Sequence, residues 1–224
     1  IYLDIGVSPA NLILFQNSFL KSYIDQLKKS RKSVRHKKTS RNIRCFTLCR
    51  LDEIKQLDWA ILSLSTIAKK MPECNFFLSI CGDGPDKKRL RNIISNEIQR
   101  ITNLEISLEG YVVSAIKYLS KNDLYLLPSK VEGFPLSLTE AAISGIPCIT
   151  TPSSPAIPEL VNYFPNITVS REISFNSFNE TVEGKIVELV KGVNYSKKLR
   201  VQPWRSIEEN SSKLLQKINF ITKR

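Results

Sequence analysis

The chain contains one histidine, His36, and it stands in a basic stretch rather than among the apolar runs. A histidine-dependent catalytic base within a folded part is therefore not expected. There is no C-x-x-C pair, no Cys/His cluster, no His-x-x-Glu-His and no Asp-x-Asp, the spacings that gather metal ligands, so no metal and no other cofactor is expected. The five cysteines, Cys45, Cys49, Cys74, Cys81 and Cys148, lie mostly in or beside strand-like segments and read as buried free thiols. No apolar run approaches the roughly 20 residues of a membrane span, and no signal peptide opens the chain. A cytoplasmic protein is expected. The four N-x-S/T sequons, beginning at Asn166, Asn179, Asn194 and Asn210, then read as chance matches.

From Lys28 to Arg44 there is no acidic residue, while Lys28, Lys29, Arg31, Lys32, Arg35, Lys37, Lys38, Arg41 and Arg44 supply much of the net charge of +12. A run of one sign without apolar periodicity reads first as a solvated linker, then as a contact for anionic lipid headgroups. Nucleic acid ranks last and is not expected, because no aromatic residue interleaves the run and no helix-turn-helix or RNA-binding signature is present.

The 224 residues suffice for one domain of good size with a tail, and 42% hydrophobic with 24% charged residues excludes wholesale disorder. Leu12, Phe15, Phe19, Tyr23 and Leu27 recur at helical spacing, so residues 1–41 are expected to form an N-terminal helix and basic linker. The first residue is Ile1, and a chain cut from something longer is expected. From residue 42 strands and helices alternate. Ile43 to Leu48, Asn75 to Cys81, Leu104 to Leu108, Asp123 to Leu127 and Ile146 to Thr151 read as strands. Leu57 to Lys70, Asp86 to Arg100, Ala115 to Ser120 and Leu138 to Ser144 read as the helices between them, followed by helices over Glu180 to Lys191 and Trp204 to Phe220. This alternation predicts an α/β fold, a Rossmann-like doubly wound parallel sheet covered on both faces. In such sheets ligands lie beyond the carboxyl ends of the strands. Arg50 and Lys55, Gly82 and Gly84, Tyr111 and Val112, and Ser129 to Leu136 all fall at those ends.

Around the fourth strand the chain reads S-K-V-E-G-F-P-L-S-L-T-E-A-A-I-S-G-I-P, with Glu132 and Glu140 eight positions apart, Gly133-Phe134-Pro135-Leu136 between them and Gly145-Ile146-Pro147 after. This stretch resembles the signature of the retaining "group 1" glycosyltransferases, two-domain GT-B enzymes whose C-terminal domain binds the nucleotide-sugar. The resemblance runs from about Arg44 to Glu159, with a weaker echo to the end. It implies that residues 42–224 are a donor-binding domain with a C-terminal closing helix.

In C-R-L-D-E-I-K, Arg50 and Lys55 match the family's two diphosphate-holding cations, with Cys49 and Gln56 where the family has glycines. Glu132 matches the glutamate facing the donor sugar and Glu140 the ribose-binding carboxylate. Gly82 and Gly84 match a G-x-G near the diphosphate, and Tyr111 and Val112 the segment whose backbone meets the base. Ser129, Gly133, Phe134, Pro135 and Leu136 belong to the turn before the helix, where N–H groups converge to hold an anion. Pro155-Ala156 replaces a common Gly-Gly. The resemblance implies transfer to a glycan or lipid-linked acceptor, as in bacterial surface polysaccharide synthesis. It also implies an acceptor-binding N-terminal domain, in cis or as a partner subunit, without which this chain alone is inactive, and peripheral contact of residues 28–44 with the inner membrane face. Two alternatives stay open: a non-catalytic nucleotide-sugar-binding module, and another GT-B enzyme such as an epimerase or a phosphorylase.

Overall fold

The computed structural model describes residues 19–30, 41–99 and 101–193, with the isolated positions 209, 211, 212 and 215. The chain divides into two units, Ile1–Asp25 with Pro203–Arg224, and Gln26–Gln202. Most of the first unit, the centre of the basic run and most of the expected closing helix lie outside the described residues. Helix α1 (Lys21–Ser30) takes up the second half of the helical pattern expected before the basic run.

The second unit is built on period-2 alternation. In β1 (Asn42–Leu48), β2 (Asn75–Cys81) and β3 (Leu104–Gly110) one face carries Ile43 and Cys45, then Phe76, Leu78 and Ile80, then Leu104, Ile106 and Leu108. Those residues line up in register, Cys45 opposite Leu78 and Leu78 opposite Ile106. With β4 (Leu124–Leu127), β5 (Cys148–Thr150) and β6 (Ile167–Val169) they form a six-stranded, all-parallel sheet of order β3-β2-β1-β4-β5-β6.

Helices α2 (Leu57–Lys70), α3 (Lys87–Ile98) and α7 (Phe175–Val190) cover this apolar face. Leu57, Ala60, Ile61, Leu64, Ile67 and Ala68 of α2 fall on one helical stripe and are buried in the main core with Leu90, Phe178, Val182 and Ile186. On the opposite face lie the single turn α4 (Ile116–Leu119), whose Tyr118 ring stacks on Phe46, and α5 (Leu136–Ser144). Helix α6 (Ile157–Tyr163) leads into β6. The sheet is thus doubly wound, with strand order reversing between β1 and β4, and ligands in such folds sit at that switch point.

The sixth strand and α6 go beyond the five-strand reading, since three residues, Ile-Thr-Val, carry too little period to be seen in sequence. One sequon acquires a packing role there: Asn166 is buried and its Nδ2 donates to Ala142 O at 3.1 Å and Ile146 O at 2.6 Å.

Gln56 links the 3-10 turn Glu53–Lys55 to α2 in the left-handed region, φ 47, ψ 42, the only non-glycine there among the described residues. Its Oε1 is buried without a hydrogen-bond partner. Left-handed backbone costs a residue with a Cβ roughly 1–2 kcal/mol, and glycine escapes that at some cost in chain entropy. Gln56→Gly is therefore expected to stabilise the chain by about 1 kcal/mol, raising the thermal midpoint by about 2–4 °C in calorimetry. An unchanged or lower midpoint would count against the strain.

Candidate functional site

The loops leaving β1 and β4 are stitched together at the switch point. The Lys130 amide donates to Ile54 O at 2.7 Å, so the turn carrying Lys55 and the turn carrying Glu132 move as one. Across that seam Lys55 Nζ donates to both carboxylate oxygens of Glu132, at 2.8 Å each, while Ser129 Oγ donates to Oε1 at 2.6 Å. The lysine and glutamate side chains keep 16% and 10% of their exposure, and Ser129 is fully buried. A fork this little exposed is screened less by water than a surface pair, and its charged hydrogen bonds are correspondingly stronger.

The β5–α6 loop supports the Glu132 turn from below. Thr151 Oγ1 donates to Ser129 O, the Glu132 amide donates to Ser153 O at 2.8 Å, and Ser154 Oγ donates to Gly133 O at 2.8 Å. Thr150, Thr151, Ser153 and Ser154 are all buried. Sequence reasoning places Thr150 to Glu159 at the carboxyl end of the fifth strand without giving these hydroxyls a role. The available signal was the run T-T-P-S-S directly after a buried strand, since buried hydroxyls must find partners and the nearest unsatisfied backbone belongs to the neighbouring turn.

Tyr125, fully buried on β4, was also missed: its hydroxyl lies 2.8 Å from Ser137 Oγ and donates to Leu48 O at 3.4 Å, pinning the first turn of α5 to the end of β1. That helix begins at Pro135 with no side chain capping it. The Leu136 amide donates to Phe134 O at 2.9 Å, and the positive end of the helix dipole is left for an anion beyond it. Gly133, ahead of it, has no atom within 4 Å of where a Cβ would stand, so the turn is open on that side. Phe134 is half-buried and Leu136 is exposed. Glu140, half-buried on α5, shares the helix face of Leu136 and Ser137.

Arg50 is differently placed. Its side chain is 71% exposed and its Nε lies 3.9 Å from Asp52 Oδ2, a contact too open to hold it. Tyr111 is 80% exposed beyond β3, and Val112 beside it is half-buried. Gly82 and Gly84 have a steric reason of their own. A Cβ on Gly82, which sits at φ 138, would meet Cys49 O at 1.9 Å, and one on Gly84 would meet Leu51 O at 2.1 Å. The Gly82 amide donates to Gly110 O at 2.7 Å, the Leu51 amide to Asp83 O at 3.0 Å, and the Asp86 amide to Leu51 O at 3.1 Å. The two glycines let the β2 loop lie flat against the backbone that carries Arg50.

Cys49, in place of a glycine, needs no left-handed backbone, and Ala156 has φ −78. Neither departure strains the chain. Burial pushes the Cys49 thiol up to about 12, so it stands beside the lysine and glutamate as a neutral group. Among the described residues no group of three or more His, Cys, Asp or Glu side chains is placed to hold a metal ion, and no helix is long and apolar enough to cross a membrane.

A family model described as glycosyl transferases group 1 matches residues 42–178. The chain is 36% identical over 103 residues to the GtfA subunit of the UDP-N-acetylglucosamine–peptide N-acetylglucosaminyltransferase of Streptococcus pneumoniae, covering 46% of this chain and 19% of that protein. It is 26% identical over 172 residues to the poly(glycerol-phosphate) alpha-glucosyltransferase of Bacillus subtilis, covering 77% and 24%. The crystal structure of WaaG, a glycosyltransferase involved in lipopolysaccharide biosynthesis, superposes with a TM-score of 0.65 at 18% identity, over 83% of this chain and 50% of that one. That of the pneumococcal O-GlcNAc transferase GtfA in complex with UDP and GlcNAc superposes at 0.51 and 23% identity, over 82% and 33%. The chain spans about a fifth to a quarter of the length of these two curated relatives.

Proposed function

Because that family model covers residues 42–178 of its 224, the chain belongs to the group 1 glycosyltransferases, and we propose that it is the donor-binding part of a retaining enzyme that moves a sugar from a nucleotide-sugar to a glycan or lipid-linked acceptor. The observation that carries this reading is the Lys55–Glu132–Ser129 cluster at the switch point of the sheet. A buried ion pair is weak as a stabilising device, since desolvation offsets most of its attraction. Its place, where a doubly wound sheet binds ligands, gives it a use.

A lysine ammonium has three donors, and Glu132 takes two. The third is left for a diphosphate oxygen. Lys55 then joins the carboxylate that faces the sugar to the phosphate that must leave. As the bond from the anomeric carbon to the diphosphate breaks, its electron pair stays on the diphosphate, the new bond forms to the acceptor hydroxyl oxygen on the same face, and that hydroxyl's proton passes to the departing diphosphate oxygen. The charge on the leaving group is met by Lys55, by Arg50 swinging in from solvent, and by the positive end of the α5 dipole, which needs little reorganisation. Glu132 polarises the sugar, and Glu140, further along α5, takes the ribose hydroxyls. No metal has a step in this scheme.

Large apolar side chains stand exposed in the loops and first helical turns beyond the strands, at Ile54, Tyr111, Val113, Val131, Leu136 and Ile173. Such a rim suits a covering surface, and in this proposal that surface is an acceptor-binding domain, in cis or from a partner subunit. Residues 28–44 would add peripheral contact with an anionic membrane.

Titration of the two glutamate variants with a nucleoside diphosphate and with the intact donor, chosen from UDP-, GDP- and ADP-sugars, tests the assignment. Glu140→Ala is expected to weaken both ligands by about 1–3 kcal/mol, since both carry ribose. Glu132→Ala is expected to weaken the sugar-bearing donor more than the diphosphate. Equal losses for both ligands at Glu132, or none at Glu140, would refute it.

A further inference from the structure

The doubly wound sheet leaves one region thinly covered. Over β1, β2 and β3 the face opposite the main core carries Arg44, Phe77, Ser79, Glu105, Ser107 and Glu109, and the one-turn helix α4 lies against it beside Phe46. Arg44, Phe77, Ser79 and Glu109, with Lys117, Tyr118, Lys121 and Asn122 from α4 and its exit, line a cavity of about 500 Å³. Beta-strand alternation here sets apolar residues against α2 and α3 but polar and charged ones toward this space, the pattern of a face evolved to meet something wet or charged rather than a helix.

The polar groups are ordered. Glu109 accepts from Tyr118 OH at 3.1 Å and from Ser107 Oγ at 2.6 Å. The Arg44 guanidinium lies 4.5 Å from the centre of the Phe77 ring, which holds its plane while leaving its edge donors to a ligand. Asn122 is tied by Nδ2 to Tyr118 O at 2.8 Å. Three cations face one carboxylate in this cavity, and none of the three lies within ion-pair distance of an acidic group among the described residues. Glu105 stands on the same face and Asp123 accepts from the Arg44 amide at 2.9 Å, both outside the cavity lining. The positive excess is therefore that of the lining itself, where the three cations repel one another less when a dianion sits between them.

We infer that this cavity binds a phosphate-bearing ligand, its phosphate held by Arg44, Lys117 and Lys121 and its hydroxyl groups facing Ser79 and Glu109. The site lies on the sheet face under α4, built from other residues than the Lys55–Glu132 cluster, and it stands or falls independently of the donor assignment. A soluble phosphate ester and a lipid headgroup present the same chemistry, and the experiment separates them.

The full chain is titrated with glycerol 3-phosphate under amide NMR, and in parallel sedimented with phosphatidylglycerol vesicles and with neutral phosphatidylcholine vesicles. The same is done with the Lys117→Ala/Lys121→Ala variant, two exposed or rim side chains whose loss leaves the core intact. Saturable shifts at the Arg44, Glu109 and Lys117 amides that weaken about tenfold or more in the variant support a soluble ligand. Phosphatidylglycerol-dependent sedimentation lost in the variant supports a headgroup. No binding in either arm, or binding equal in both proteins, overturns the inference, the latter placing the anion contact in the basic run or at the α5 turn. UDP titration of the variant is expected to match the parent, so that failure here leaves the donor reading untouched.

Discussion

Lys55→Ala is expected to lower the stability of the chain by about 2–4 kcal/mol and to weaken nucleoside diphosphate binding at the same time. The reason is asymmetric. With the lysine gone, Glu132 is left with Ser129 Oγ as its side-chain donor and with 10% of its side-chain exposure, a carboxylate out of water without its countercharge. Arg50→Ala is the control: that guanidinium is 71% exposed, so its loss leaves stability within about 0.5 kcal/mol of the parent while still costing about 1.5–3 kcal/mol of diphosphate affinity. Urea denaturation and calorimetric titration of both variants check this. Equal stabilities for the two would mean that the lysine–glutamate fork contributes nothing to holding the loops. Unchanged diphosphate affinity in both would return these cations to surface charge.

Gly82→Ala is expected to cost about 3–5 kcal/mol, through the clash with Cys49 O and the unfavourable φ together. Backbone, not a flexible side chain, stands in the way, and it belongs to the loop that carries Arg50. Gly84→Ala, with an ordinary φ but a Cβ at 2.1 Å from Leu51 O, is expected to follow with a somewhat smaller loss. In both, diphosphate binding falls as the Arg50 loop is pushed off β2. Gly133→Ala separates steric from ligand-related need: open space surrounds its Cβ position, so stability stays within about 0.5 kcal/mol, while donor binding falls if the ligand occupies that space. Thermal melts of the three variants decide it, and a Gly82→Ala protein as stable as the parent would remove the close-packing account of the glycine pair.

The sequence by itself determined the parallel sheet, five of its six strands and the ends at which the notable residues gather. Those features follow from local period: Ile43, Cys45, Phe76, Leu78 and Ile80 alternate, and Leu57 to Ala68 fall on a helical stripe, whatever the rest of the chain does. It also named Lys55, Glu132 and Ser129 separately. Only the tertiary structure put their polar atoms within 2.8 Å, because residues 55 and 132 meet through strands β1 and β4, which are adjacent only once the order β2-β1-β4 is formed. The same holds for the departures from the family pattern. Gln56 and Cys49 look alike as glycine replacements in a sequence, yet φ separates a strained residue from an unstrained one, and φ is a property of the folded backbone. The hydroxyl shelf of Thr151, Ser153 and Ser154 and the basic cavity under α4 were legible as composition but not as places. Each is assembled from segments far apart in the chain, and the hydrogen bonds and unbalanced charges that give it meaning exist only between those segments.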